Sequence, residues 1–145
     1  MVSKIEKKFK LTKLNIIHNV NGNVYQGIKK NENEFKGFGE LYLSEIKFKS
    51  IKAWKNHSMQ TCNFIVPSGE VLFVIILDEK NLQYETFKLS PLNYYRLTVE
   101  PCTWFGFMGM GKEPNLIINF SNLIHDPKEV NNRNINYFDF DWSKF

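Results

Sequence analysis

His57 is the side chain of this sequence best suited to move a proton at neutral pH, and Lys55 stands two residues before it. Imidazole titrates near neutrality, and removing a proton from a carbon next to a ketone needs such a base together with a donor for the enolate oxygen. The Lys55 ammonium would lower the proton affinity of the imidazole and would stabilise an enolate. Alternatively, His57 is a surface histidine just past a strand end.

The segment Ile51–His57 reads as a strand that carries these two side chains. With a period of two, Ile51, Ala53, Lys55 and His57 lie on one face, which begins apolar and ends polar. That pattern is typical of a strand running from the packed base of a small barrel to its open mouth. Residues 116–120 likewise present Asn119 on an otherwise apolar face, so the two strands predict a polar site.

The remaining sequence favours β structure, since it contains 13 Phe, six Tyr and three Trp. Short apolar runs recur between turn signals, and none reads as a long helix. We expect a single all-β domain over residues 1–145, a length at which one core suffices. The expected strands are 9–17, 24–28, 38–48, 51–57, 61–66, 70–77, 82–89, 94–99, 102–108 and 116–120.

The segment 70–77 is apolar on both faces, so both faces should be buried. A lone barrel covers only one face of a strand, and the second needs a further sheet, another subunit or the C-terminal tail. The tail, 131–145, contains Tyr137, Phe138, Phe140 and Trp142 and should pack back on the barrel. We also expect a homodimer with twofold symmetry, the commonest closed arrangement.

Metal binding is not expected from this sequence. A first-row metal site needs about three converging donors, and His18, His57 and His125 stand in unrelated segments. Cys62 and Cys102 lack a CxxC or other metal-type spacing, and both are expected to be buried thiols. Neither a metal nor another cofactor is therefore predicted.

The charge distribution is uneven, because residues 1–60 carry twelve Lys against five acidic residues. Such asymmetry can mark a nucleic-acid surface, but lysine-rich strand edges that discourage aggregation explain it better. A further explanation is that Lys52 and Lys55 meet the phosphates of a nucleotide ligand. No apolar run approaches the ~20 residues of a membrane helix, and the charged N-terminus lacks a signal-type stretch, so a cytoplasmic protein without nucleic-acid or membrane partners is expected.

Several motifs together carry a family resemblance. The chain has a Glu100-Pro101 break, an aromatic strand over 102–108, a Gly-rich hairpin and a closing Asp126-Pro127 turn. It also has Gly69-Glu70-Val71 and the run 53–57, Ala-Trp-Lys-Asn-His. On these segments, over roughly residues 15–142, it resembles the dTDP-4-dehydrorhamnose 3,5-epimerase-like cupins, in particular the shorter epimerase-related proteins of polysaccharide gene clusters.

The resemblance implies a cupin, a double-stranded β-helix or jelly-roll barrel, that binds a sugar nucleotide. It places Lys52 where the family has a phosphate-contacting Arg, and Lys55 at the base position with His57 one strand repeat further on. Asn63 stands near a family Lys, and Asn119 near the proton-donating Tyr. The acid that pairs with the family His is expected near 134–136, where this chain has no Asp or Glu.

The predicted site therefore has His57 and Lys55 as catalytic residues and Lys52, Asn63 and Asn119 as substrate contacts. Tyr95 and Trp104 are added as candidates for stacking on a base or sugar, although most aromatic residues of a barrel are core. The implied function is a metal-independent epimerase or isomerase of a 4-keto-6-deoxy sugar nucleotide in surface-polysaccharide biosynthesis. The alternative is a catalytically reduced cupin that binds a sugar nucleotide or assists a partner enzyme.

Overall fold

The computed structural model describes residues 8–112 and 114–145, and two facing five-stranded antiparallel sheets dominate it. Residues 1–7, on which the expectation of a cytoplasmic location partly rests, lie outside the described residues. The strands are β1 (Phe9–Lys13), β2 (Ile16–Ile17), β3 (Val24–Tyr25), β4 (Glu40–Ile46), β5 (Ile51–His57), β6 (Cys62–Ser68), β7 (Val71–Asp78), β8 (Gln83–Leu89), β9 (Tyr95–Val99), β10 (Phe105–Gly109), β11 (Asn115–Ser121) and β12 (Val130–Asn132).

The front sheet has the strand order β1-β9-β6-β11-β4, and the back sheet has the order β12-β5-β10-β7-β8. Strands β2 and β3 form a separate small hairpin. The predicted all-β jelly-roll class is thus confirmed, and most strands lie within two or three residues of their expected positions. Two differences are that 9–17 divides into β1 and β2, and that β12 was not predicted.

The interior between the sheets is an apolar core built from alternate residues of both sheets. Its buried members include Phe64 and Val66 of β6, Phe73 and Ile75 of β7, and Leu97 of β9. Burying a side chain of this size contributes about 1.5–3 kcal/mol relative to leaving it exposed. The core therefore holds the two sheets face to face and fixes where their polar residues point.

The outer face of the back sheet is covered by the C-terminal tail, as predicted. Phe138, Phe140 and Trp142 pack in one cluster with Trp54, and the cluster includes Leu72, Val74 and Ile76 from the second face of β7. Both faces of β7 are therefore buried within one chain. Within residues 8–112 and 114–145, no helix has the length and apolar content to cross a membrane.

Strand β5 contains a bulge that changes which of its residues face inward. Phe105 pairs with Lys55 while the next residue, Gly106, pairs with Ala53, so Trp54 is an extra residue on the β5 side. Ile51 and Ala53 pack against the outer aromatic cluster. The expectation that they share a face with Lys55 and His57 is wrong, because the bulge breaks the period of two.

Candidate active site

A cavity of about 370 Å³ opens between the two sheets, next to the apolar core. Phe64, Phe105 and Ile117 belong to the core and also line the cavity, so its apolar part is rigidly packed. The polar lining comes from four strands and the segment that follows β12. It comprises Tyr42, Ser44, Lys52, Lys55, His57, Asn119, Asn132 and Arg133.

His57 is buried at the end of β5 and pairs with a buried carboxylate, Glu129. The imidazole Nδ1 contacts Glu129 Oε1, while Glu129 Oε2 accepts hydrogen bonds from the backbone amides of Met59 and Gln60, both at 3.2 Å. Strand β12 makes this contact possible, since Val130 pairs with His57 in the back sheet. The Phe105 ring stacks on the imidazole at 6.1 Å between centroids.

The environment keeps Glu129 ionised at neutral pH. Burial by itself raises the pKa of Glu129, but the hydrogen bonds from His57, Met59 and Gln60 outweigh it and leave the pKa below its ordinary value. A carboxylate on Nδ1 fixes the imidazole tautomer with its proton on Nδ1. The unprotonated Nε2 is then the nitrogen that a ligand in the cavity can meet, so His57 is arranged as a base.

Tyr42 brings a phenol to the cavity from the opposite sheet. It lies on β4 directly across from Asn119 of β11, whose Nδ2 donates a hydrogen bond of 2.9 Å to the phenolic oxygen. Burial raises the pKa of Tyr42, and the hydrogen bond from Asn119 opposes this without reversing it. The phenol is therefore protonated at neutral pH and can act as a proton donor.

Three cationic side chains line the cavity. The β5 bulge turns Lys52 to the same side as Lys55, and the Lys52 ammonium donates to Ser44 Oγ at 3.2 Å and to the Glu45 carbonyl at 2.9 Å. The Arg133 guanidinium lies 5.7 and 5.2 Å from the ring centroids of Trp104 and Tyr137. These groups place positive charge where an anionic ligand would enter.

Four of the seven predicted site residues line the cavity together: Lys52, Lys55, His57 and Asn119. Asn63, Tyr95 and Trp104 do not line it. Asn63 points to the outer side of the front sheet, where its amide donates to the Glu34 carbonyl and accepts from Thr98. Tyr95 pairs with Lys13 near the sheet edge. Trp104 packs under the C-terminal tail.

Sequence reasoning missed Glu129, Tyr42 and Arg133. The acid that pairs with the histidine was expected near 134–136, but the chain supplies it five residues earlier, just before β12. Glu129 follows the Asp126-Pro127 turn, and it is the first acidic residue on the N-terminal side of residues 134–136. This proximity is the sequence signal that could have identified it. Tyr42 carried no comparable signal, because its neighbours on β4 are ordinary strand residues.

No group of three His, Cys, Asp or Glu side chains in the described part of the chain is arranged to hold a metal ion. Of the two cysteines, Cys62 is buried as predicted, whereas Cys102 is exposed and that expectation is wrong. Burial raises the pKa of the Cys62 thiol to about 12. Cys62 is therefore a neutral thiol and not a nucleophile or a ready metal ligand.

Comparison with models of protein families gave no match. Among curated proteins, the chain is 26% identical over 92 residues to a probable low-salt glycan biosynthesis epimerase from Haloferax volcanii, a match covering 60% of this chain and 59% of that protein. The chain thus matches less than two thirds of the length of that relative.

Solved structures give longer matches. A dTDP sugar isomerase from Desulfovibrio desulfuricans is 29% identical, with a TM-score of 0.87 and coverage of 94% of this chain and 92% of that chain. A sugar 3,4-ketoisomerase from Thermoanaerobacterium thermosaccharolyticum, in complex with TDP, is 15% identical with a TM-score of 0.75, covering 91% and 93%.

A dTDP-6-deoxy-D-glucose-3,5-epimerase from Legionella pneumophila, in complex with dTDP-4-keto-L-rhamnose, is 15% identical, with a TM-score of 0.80 and coverage of 93% and 78%. The two structures at 15% identity support the fold alone. The match at 29% identity spans nearly all of both chains and agrees with the motifs of the sequence. Over nearly its whole length, the chain is therefore similar to the dTDP-sugar epimerase and isomerase cupins.

Proposed function

We propose that this protein is a metal-independent epimerase or isomerase of a 4-keto-6-deoxy sugar nucleotide, used in the synthesis of surface-polysaccharide sugars. The observation that carries the proposal is the buried His57–Glu129 pair, whose histidine lines the same cavity as Tyr42 of the opposite sheet. Removing a carbon-bound proton requires a base, and returning one requires an acid; the cavity has one on each of its opposite walls. The similarity to a dTDP sugar isomerase over nearly the whole chain supports the substrate class.

The first step is proton abstraction by His57. Its Nε2 takes the proton from the carbon next to the ketone, and the electron pair of the broken C–H bond forms an enolate whose charge lies on the former ketone oxygen. Glu129 stabilises the imidazolium that results. The Lys55 ammonium, on the same wall of the cavity, offsets the enolate charge. No electrons are lost or gained overall, so the step needs no redox cofactor.

The second step returns a proton from Tyr42. Because β4 and β5 lie in different sheets, a proton given by Tyr42 reaches the enolate from the side opposite His57 and inverts the carbon. Tyr42 is then reprotonated and His57 deprotonated by exchange with water. If the enolate oxygen is protonated instead, the hydroxyl on the deprotonated carbon can give up its proton and become the new ketone while a proton is added to the former ketone carbon, which would be a ketoisomerisation.

The diphosphate of the substrate would meet Lys52 and Arg133. Both line the cavity, and Lys52 is held by Ser44 and the Glu45 carbonyl. Lysine binds phosphate as a point charge, whereas arginine offers a planar fork of donors. An ion pair with each would orient the sugar ring toward the His57 and Tyr42 end of the cavity.

The test is incubation with 4-keto-6-deoxy sugar nucleotides in D2O. Deuterium entering C3 or C5 with the ketone still at C4 is the expected result of epimerisation, and deuterium at C4 with the ketone at C3 indicates ketoisomerisation. We expect His57→Asn to lower the exchange rate about 100-fold or more and Glu129→Gln about 10-fold or more. His125→Asn is the matched control, because His125 is exposed and outside the cavity lining.

Absence of deuterium from every such substrate would overturn the enzymatic proposal. If the wild-type protein then binds a sugar nucleotide without exchange, the protein is a binding cupin, the alternative that the sequence left open. That alternative rested on the missing family Tyr, Asp and Lys. Tyr42 supplies a phenol in the cavity, and Glu129 supplies a carboxylate that contacts the cavity residue His57, which favours the enzyme.

A further inference from the structure

Asn119 is in the cavity lining, yet its polar atoms are already bound to protein groups. The residue is 1% exposed and lies in the middle of β11. Its Oδ1 accepts a hydrogen bond of 3.2 Å from the backbone amide of Asn63 on β6. Its Nδ2 donates a hydrogen bond of 2.9 Å to the phenolic oxygen of Tyr42 on β4. Asn119 thus bridges the two strands that flank β11.

The contact with Asn63 decides which way the Asn119 amide is turned. A backbone N–H can only donate, so the Asn119 atom that faces it must be the carbonyl oxygen. Turning the amide over would set two donors against each other at Asn63 and leave a buried N–H without an acceptor, at a cost of about 1–3 kcal/mol. The NH₂ group must therefore face Tyr42.

This orientation fixes where the Tyr42 proton can go. The Tyr42 oxygen already accepts a hydrogen from Asn119, so its own O–H cannot point back along that line. The phenol lines the cavity, and the proton is free to point into it. The same N–H would also stabilise the phenolate left after proton transfer, because hydrogen bonds to a charged acceptor are stronger than those to a neutral one.

We propose that Asn119 is a positioning residue that acts through Tyr42: its amide turns the Tyr42 proton toward the bound sugar and stabilises the phenolate left by the transfer. This inference rests on the proposed function, in which Tyr42 is the acid. It replaces the expectation that Asn119 contacts the substrate itself, since each contact it makes to Asn63 and Tyr42 would be lost by turning toward a ligand.

The surroundings of Tyr42 allow this effect to be measured directly. Burial raises the pKa of Tyr42, and among its polar neighbours the Asn119 hydrogen bond lowers it, whereas Cys62, Glu40 and Glu129 raise it. Removing the Asn119 donor should therefore raise the pKa further. The group can be followed by placing 3,5-difluorotyrosine at position 42, whose fluorines lower the phenol pKa into a range where the protein stays folded, and by recording ¹⁹F NMR spectra against pH.

Two variants at position 119 remove the N–H donor to Tyr42 and leave side chains of different polarity in its place. Asn119→Asp keeps the oxygen that faces the Asn63 amide and replaces the NH₂ by a second oxygen, and Asn119→Leu removes the donor without adding charge. In both, we expect the titration midpoint of the residue at position 42 to rise by about one pH unit or more. For the enzymatic exchange, kcat should fall about 10-fold or more, with KM changed less than about 3-fold.

Asn122→Asp is the matched control, because Asn122 is three residues away and its side chain accepts from the Thr61 amide. It should move neither the titration midpoint nor kcat. A midpoint in Asn119→Asp and Asn119→Leu that stays within about 0.3 pH units of the parent protein would overturn the positioning role, and so would an unchanged kcat. The titration needs no substrate, so it decides this inference even if the exchange assay fails and the proposed function falls.

Discussion

A buried carboxylate beside a histidine determines what the cavity can do. Without Glu129, the imidazole tautomer would be free, and a proton taken by His57 would be an uncompensated charge in a buried site. Glu129 is itself held by the Met59 and Gln60 amides, so it can hold the ring in turn. The two backbone amides, the carboxylate and the imidazole form a chain of hydrogen bonds that leaves Nε2 of His57 facing the cavity.

The sequence could identify those site residues whose side-chain type alone indicates what they can do chemically. His57 and Lys55 were found because imidazole is the side chain suited to proton transfer near neutral pH and because both residues stand at the polar end of one predicted strand. Glu129 is 72 residues from His57 along the chain, and nothing local connects them. Asn63 was misplaced because its position in the family motif does not say which side of β6 it faces.

Glu34 provides a prediction about pH. It is a buried residue of the loop before β4 and pairs with Lys10 and, at 3.5 Å, with Arg96. The hydrogen bond with Lys10 is the main cause that lowers the pKa of Glu34 below its ordinary value, against the opposing effect of burial. A carboxyl group that binds protons less readily when folded stabilises the fold above its unfolded pKa, and this contribution is lost as the pH falls through the folded pKa.

The wild-type melting temperature should therefore decrease as the pH is lowered from about 6 to about 3. Glu34→Gln should melt lower than wild type at pH 6 but lose less on acidification, so that the two curves approach each other. Glu79→Gln is the control, because Glu79 is exposed in the turn between β7 and β8. Differential scanning calorimetry across this range decides the matter, and a constant gap between wild type and Glu34→Gln would contradict the prediction.

At the level of the strand, the bulge in β5 creates the cationic side of the cavity. Without it, Lys52 and Lys55 would point to opposite faces, since they are three residues apart and side chains alternate along a strand. The extra residue, Trp54, restores them to one face and is itself buried among Phe138, Phe140 and Trp142. A single local irregularity thus serves both the active site and the attachment of the tail.

Most strands could be predicted because turn residues and apolar runs are local signals. The bulge could not, because it depends on a residue more than fifty positions away in the neighbouring strand. Gly106 lies opposite it, and a Cβ there would come within 2.6 Å of Ala53 Cβ and 3.2 Å of Trp54 Cε3. Strand β12 was missed for a similar reason, since Val130–Asn132 is short and polar and is a strand only through its pairing with β5.

Gly106→Ala should therefore destabilise the protein by about 1–3 kcal/mol, as expected when a methyl group is forced into a filled space. It should also reduce deuterium exchange, because Lys55 and His57 follow the bulge on the same strand. Ala53→Gly removes the nearest clashing atom, so the double variant should recover part of the loss. Urea unfolding of the two single variants and the double variant measures this, and equal stability of Gly106→Ala and wild type would contradict the proposed tight contact.

For the whole molecule, the C-terminal tail explains how both apolar faces of β7 are buried. The second face of β7 needed a cover, and Phe138, Phe140 and Trp142 provide it within the chain. The argument for a second subunit from β7 therefore no longer applies. Exposed apolar side chains elsewhere include Leu41 and Leu43 of β4, which is an edge strand of the front sheet, and Phe38 just before it.

A twofold homodimer is still our expectation, and the β4 edge is the surface through which we expect it to form. An edge strand with unpaired backbone groups and exposed leucines pairs readily with another copy of itself. Light scattering at micromolar concentration should give the mass of two 17.1 kDa chains. Leu41→Lys combined with Leu43→Lys should lower it toward one chain, because a buried twofold contact would bring four like charges together.

Leu92→Lys is the control, since Leu92 is fully exposed in the turn before β9 and far along the chain from β4. It should leave the mass unchanged. Tyr42 lies between the two leucines on β4, so an interface here would also fix the strand that carries the proposed acid. The double variant should then exchange deuterium more slowly as well as dissociate. A wild-type mass near 17.1 kDa at every concentration would refute the dimer and leave β4 to be held by β11 alone.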